Sequence, residues 1–355
     1  MTAEDACARF VAPYILPYEG TEPRFATAPR LYGSSVSVLG KVQIGARSTL
    51  ACSSVIRADG HFVRIGDDFY LGEFSTVHIA HETYPTIIGD GVTVGRNAVV
   101  HACTVGSHCV IEDDVVILDG SVVGGGVLIE AGATVFPRSS LMAGRIYSGS
   151  PAMPIRDLTP SERSNRESRI QTSSTTLPRS NRSNASSMEY RPIDDGFVAQ
   201  TACLSGSIRL ERRSTVFFGC HLDAGDASIA IDVDSNIQDN TRIQCDIDGV
   251  TIGRATTIGH NAQLKSCRIG QQSLVGIGSV VSRGTIIDDD VLLAAGSKTN
   301  EGQYLERGWM WGGRPARPIS KLDDAKRLMM AQIIDQYYAY GRAYERAQRV
   351  ARRGG

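Results

Sequence analysis

Aromatic residues make up only 6% of this 355-residue chain, which argues against helices packed around a core of large rings. Long apolar runs are missing as well. No stretch of about 18 apolar residues occurs, so no segment reads as membrane-spanning. Excess charge of one sign is absent: the formal net charge is −1, giving no electrostatic reason for nucleic acid or an anionic membrane as a partner. The eight cysteines (Cys7, Cys52, Cys103, Cys109, Cys203, Cys220, Cys245, Cys267) include no CxxC pair, so a disulfide framework is not expected and a reducing compartment is. The opening MTAEDACARF carries two acidic residues and no apolar run of signal-peptide length, and the expectation is a soluble, cytoplasmic protein.

What is abundant is small and aliphatic: 42% hydrophobic residues and 37 glycines, a profile of short strands joined by tight corners. An aliphatic residue returns nearly every sixth position at Ile88, Val94, Val100, Val105, Ile111, Ile117, Val123, Ile129 and Val135. The pattern repeats at Ile231, Ile237, Ile243, Ile252, Ile258, Leu264, Ile269, Val275, Val281, Ile287 and Leu293. Both blocks shorten one interval to five, at Val100–Val105 and Leu264–Ile269, which argues for two copies of one domain. Each hexad reads as one short strand and one corner, the aliphatic side chain pointing inward, and stacked coils bury a core that no single coil could. A helix would need spacings of three and four. The expected fold is all-β: two left-handed parallel β-helix domains in tandem, residues 1–158 and 191–319.

Between them, residues 159–190 are rich in Ser, Asn and Arg and are expected to be a disordered linker. DLTPSER at the end of the first block looks too short for a helix to develop. Residues 320–355 form the C-terminal region, with Leu322, Leu328, Met329, Ile333, Tyr337 and Tyr340 at helical spacing and Ser320 and Asp323 resembling a capping box. An amphipathic helix is expected there, packed on a β-helix flank or on a neighbouring subunit.

VIRADG with Arg57 and Asp59, STVH with His78, and VGRNAVVHACTVG with His101 resemble the γ-class carbonic anhydrases, a hexapeptide-repeat family. The second block resembles them through SNIQDN with Gln238 and Asp239, IGHNAQLKSC with His260, and WGGRPARPISKL. The resemblance implies a metal, zinc with iron as the other possibility, held by three histidines at a subunit boundary of a trimer. Three neutral imidazoles leave one position for water, whose pKa falls towards 7, and the metal-bound hydroxide hydrates carbon dioxide to bicarbonate. The resemblance also implies an intersubunit salt-bridge element at Arg57 and Asp59 and a position near the metal-bound water for Gln238, with Asp239 beside it. Glu82 and His81, in the loop after His78, are candidate proton relays.

The departures from the family pattern are complementary. The first block keeps His78 and His101 but has Arg96 at the third position, and arginine stays protonated and cannot ligate zinc. The second has His260 there, with Gln244 and Lys265 in the other two places. The expectation is therefore one composite site, His78 and His101 from a first-type domain and His260 from a second-type domain. The assembly expected is a homo-oligomer with trimeric rings of domains, or a hetero-oligomer with a single-domain homologue. A catalytically inactive assembly scaffold and a hexapeptide acyltransferase are the alternatives. His61, His108 and His221 read as plain surface residues, and Cys103 and Cys267, equivalent in the two blocks, as core packing.

Overall fold

A computed structural model describes residues 13–173 and 195–354. The chain divides into two compact units, one within residues 8–181 and one within 182–355. Both are parallel β-solenoids, with hydrogen-bonded strand neighbours coming from successive coils rather than adjacent in sequence.

The hexad phase is visible as columns of stacked side chains. In the first unit Val77, Val100, Ile117 and Val135 sit in register on one sheet, and Leu71, Val94, Ile111 and Ile129 on another. In the second unit Ile237, Ile258, Val275 and Leu293 form the matching column. All twelve are buried within the two solenoid cores, and each coil's apolar surface is covered only by the coils above and below. Corners are made by residues of positive φ such as Asn97, His108 and Asp114 in the first unit and Asp234, Asn240 and Asn261 in the second. Asn and Asp tolerate this left-handed conformation better than most non-glycine residues.

The shared five-residue interval has a structural counterpart. Ala102 and Ser266 take positive φ at equivalent shortened corners, and their amides donate to His78 O at 2.9 Å and Gln244 O at 3.2 Å. Both units also end alike, in an antiparallel pair (Arg145–Ser148 with Met153–Asp157; Trp309–Gly312 with Arg317–Lys321) carrying the same register shift.

In the first unit, strands β1 (Val55–Ile65), β2 (Thr76–His78) and β3 (Val99–His101) lie side by side. Helix α1 (Pro160–Ser173) follows that unit's last strand pair. In the second unit, β4 (His221–Ile231), β5 (Arg242–Gln244) and β6 (Gln263–Lys265) repeat the three-strand arrangement. Helix α2 (Asp324–Gly354) closes the chain.

Helix α1 corrects the expectation of a disordered linker and of a truncated first-block ending. Thr159 and Glu162 form a reciprocal cap: the Thr159 hydroxyl accepts the Glu162 amide at 3.3 Å, and Glu162 Oε2 accepts the Thr159 amide at 3.1 Å. Ile170 packs with Tyr70, Val110, Leu128 and Ile146, and Arg166 and Arg169 reach the buried carboxylate of Glu112 at 2.7 and 2.8 Å. Composition counted those arginines as solvated; their partner lies more than fifty residues away. Residues 174–190 of the expected linker lie outside the described residues.

Helix α2 packs on the flank of its own solenoid. Its cap is Asp323, whose Oδ1 accepts the Lys326 amide at 2.8 Å, while Ser320 belongs to the preceding strand. The buried stripe is Met330, Ile334, Tyr337, Tyr340 and Tyr344, with Leu322 ahead of it; Leu328 and Met329 are exposed. The helical period was right and its phase was off by a residue at the start. Cys103 and Cys267 are core residues as expected; burial pushes the Cys267 thiol up to about 12 and Cys103 higher still. Cys203 is disulfide-bonded, which runs against the expected reducing compartment, and a single bridge of this kind leaves no CxxC-type spacing signature. Among the described residues no helix is long and apolar enough to cross a membrane.

Candidate metal centre

His78 ends β2 and His101 ends β3, and the two are partners in the parallel register. One coil thus sets one imidazole directly beside the next. Their rings meet edge to face with centroids 5.3 Å apart, both side chains are buried, and candidate ligand nitrogens of the pair lie within 4.8 Å of each other.

Each ring is oriented through Nδ1. His78 Nδ1 lies 2.8 Å from the carbonyl oxygen of Arg57 on β1. A carbonyl only accepts, so Nδ1 carries the proton and a neutral ring presents Nε2 as its lone-pair nitrogen. His101 Nδ1 lies 2.6 Å from Asp119 Oδ1. Two adjacent buried histidines, each with an acceptor at Nδ1, are a donor pair that suits a borderline divalent ion such as zinc. Beneath them Arg57 and Asp59, both fully buried, form an ion pair, and Asp59 Oδ2 is 4.0 Å from His78 Nε2.

The second unit inverts the pattern. Gln244 and Lys265 are register partners at the positions of the histidine pair, and both are exposed. Asp223 pairs with Gln244 and so stands where Arg57 stands in the first unit, and Gly225 stands where Asp59 does. The Arg–Asp element is therefore gone from this copy. His260, by contrast, is fully buried. Its backbone amide donates to Gln238 Oε1 at 3.2 Å, its Nδ1 is 3.2 Å from Asp239 Oδ2, and its Nε2 is 2.9 Å from the Tyr337 hydroxyl on α2. Arg96, at the equivalent corner of the first unit, pairs with Asp113 at 3.2 Å. Glu82 is exposed in the turn after His78.

The structure thus brings His78, His101, Arg57 and Asp59 together in one unit and His260, Gln238 and Asp239 together in the other. Sequence reasoning missed two participants, Asp119 and Tyr337. Asp119 is one coil beyond His101, in the LDG stretch whose hexad looks like any other. Tyr337 was assigned to an apolar stripe, and only its hydroxyl reveals a second task.

No protein-family model matches the chain. It is 38% identical over 162 residues to "Gamma carbonic anhydrase 1, mitochondrial" of Arabidopsis thaliana, covering 43% of this chain and 59% of that protein. Over 145 residues it is 32% identical to "Carbonic anhydrase" of Geobacillus kaustophilus, covering 41% of this chain and 79% of that protein. "Protein YrdA" of Escherichia coli is 32% identical over 153 residues, with 83% of it covered. The chain spans between 54% and 62% of the length of the three plant carbonic anhydrases it matches. A solved candidate acetyltransferase from Desulfovibrio desulfuricans superposes with a TM-score of 0.60 at 13% identity, over 95% of this chain and 83% of that one. At that identity the likeness speaks for the hexapeptide-repeat fold alone.

Proposed function

The chain belongs to the γ-class carbonic anhydrase family, and we propose that it catalyses the reversible hydration of carbon dioxide to bicarbonate at a composite metal site. In this reading residues 1–158 and 191–319 are two copies of the family domain, and a first-type domain contributes His78 and His101 while a second-type domain contributes His260. The single observation that carries the proposal is the complementary loss. One unit keeps two imidazoles fixed through Nδ1 with the buried Arg57–Asp59 pair beside them, and the other keeps only the third histidine with Gln238 and Asp239 around it.

Zinc is the metal we propose, with iron able to use the same imidazoles. Bound by three neutral imidazoles, such an ion supplies Lewis acidity that makes a water nucleophilic near neutral pH. The chain's own residues do the rest. Arg57 O holds the His78 ring through Nδ1, and the Arg57–Asp59 pair keeps a fixed charge arrangement under the two rings. Gln238 fixes the backbone of His260, and Glu82, exposed in the turn after His78, would be the residue that relays protons to solvent. We further propose trimeric rings of domains, within a homo-oligomer or with a single-domain homologue, and a cytoplasmic setting; six cysteines among the described residues are free thiols, while the Cys203 disulfide weighs against a reducing compartment.

One observation favours a second reading, an inactive scaffold. Tyr337 and Asp239 flank the buried His260 ring on both nitrogens, as they would around a structural histidine. Metal content and carbon dioxide hydration by the full-length protein separate the two. The composite site requires bound zinc and activity, both lost in His78→Ala and in His260→Ala. A metal-free, inactive wild type supports the scaffold, and a fully active His260→Ala variant sinks the composite site.

A further inference from the structure

We propose that Asp119 is a positioning residue of the candidate metal centre: its carboxylate holds the imidazole of His101 in the tautomer and orientation that present Nε2. This deepens the functional reading above and, as far as metal is concerned, rests on it.

The contact is short, Asp119 Oδ1 to His101 Nδ1 at 2.6 Å, at the short end for a hydrogen bond between a ring N–H and a carboxylate. It is also pinned by the backbone. Asp119 sits in the corner between Leu118 and Gly120. Gly120, at φ +70°, donates its amide to Ala102 O at 2.8 Å, and Asp119 O accepts the Arg138 amide at 2.8 Å. A side chain at Gly120 would meet Tyr84 and Arg138 at 3.3 Å, so the corner's backbone is confined, while the Asp119 side chain keeps 42% of its surface exposed. His78 needs no such residue, because a backbone carbonyl performs the task. Histidines that bind metals commonly donate their other N–H to an acceptor of one of these two kinds, and losing it typically costs 10–100-fold in affinity.

The second unit supplies an internal comparison. Gly284 donates to Ser266 O at 2.8 Å, as Gly120 does to Ala102 O, so Arg283 occupies the position of Asp119. Arginine donates and cannot accept from an imidazole N–H. The copy that lost the ligand at Lys265 also lacks the acceptor behind it, whereas the copy that kept His101 has it. A carboxylate serving only to make the corner would have no reason to follow the histidine.

The test uses the full-length protein and the variants Asp119→Ala, Asp119→Asn and Asp119→Lys, with zinc affinity measured by competition against a chromophoric chelator. We expect affinity to fall roughly 10–100-fold in the Ala and Lys variants and to be largely restored in Asn, whose side-chain oxygen still accepts. Nitrogen NMR of the histidines in zinc-free protein is the second readout. The wild type should show His101 as the Nδ1–H tautomer, and Asp119→Ala a mixture. Thermal unfolding of each variant controls for folding. Unchanged zinc affinity in Asp119→Ala, or an unchanged tautomer, overturns the proposal. A wild type that shows the fixed tautomer but binds no zinc defeats the metal-site reading while leaving the orienting bond intact, so the two failures are distinguishable.

Discussion

Arg57 and Asp59 are both fully buried, two residues apart on one strand, and each is the other's counter-charge. Taking away one partner removes a counter-charge from a fully buried group in a medium that solvates it poorly, which typically costs about 3–5 kcal/mol. Asp59→Ala is therefore expected to destabilise the first unit by about that amount, read as an earlier urea-unfolding transition of the full-length protein. A shift worth under about 1 kcal/mol, the range of an exposed pair, would show that the pair is solvated and contradict its placement. At this scale the sequence was legible wherever residues sit in a local motif: Arg57 and Asp59 in VIRADG, His78 in STVH, His260 in IGHNAQ. Asp119 and Tyr337 were not legible, because their relevance comes from contacts across 18 and 77 positions. No local pattern distinguishes an aspartate in one corner from those in the other corners.

Among the elements, α1 shows most plainly what composition conceals. Its sequence is polar, and Ile170 is its buried residue, so propensity and hydrophobicity alone give it little reason to be stable. What holds it is the Thr159–Glu162 cap and the convergence of Arg166 and Arg169 on Glu112, whose Oε2 also accepts the Ala131 amide at 3.0 Å. Glu112→Gln removes the charge both arginines neutralise. Amide exchange across Pro160–Ser173 should then quicken by about tenfold or more, in keeping with hydrogen bonds to charged groups worth roughly 1.5–3 kcal/mol, while the solenoid amides keep their protection. Unaltered exchange in α1 would mean that Ile170 and the Gln171–Thr93 bond dock the helix without the two arginines. The cap adds a pH signature. The Arg156 guanidinium, and then the Thr159 hydroxyl and amide, hold Glu162 down to about 2. A lowered carboxylate pKa means that the cap is complete above the ordinary carboxylate range and is lost only as pH falls through about 2. Titrating the Glu162 side chain by NMR checks this, and an ordinary midpoint near 4.5 would show the cap unformed in solution. For α2 the period was legible in the sequence. The phase was not, because several apolar residues at its start outnumber the places the flank offers them.

For the whole molecule, the hexad phase made the fold readable from the start. A six-residue recurrence shared by two blocks, with the same five-residue lapse, reappears as matching shortened corners and matching final strand pairs. What the phase could not convey is how many functional centres two such copies make. If each unit held its own metal, saturation would give two ions per chain, but neither unit carries three histidines at the family positions. Under the proposed composite site, a trimeric ring of mixed domains has three boundaries, and only one joins a first-type face to a second-type face in the required order. Three chains supply six domains and hence two such rings. Closed ring symmetry therefore predicts about two ions per three chains at saturation. Metal analysis of the purified oligomer, with its mass determined in the same sample, gives the ratio directly. A plateau near two-thirds of an ion per chain is expected of homo-oligomeric mixed rings. A plateau at one ion per chain would rule out this ring arithmetic, because then every first-type domain would have to meet a second-type neighbour on its ligating side, which rings of three cannot provide.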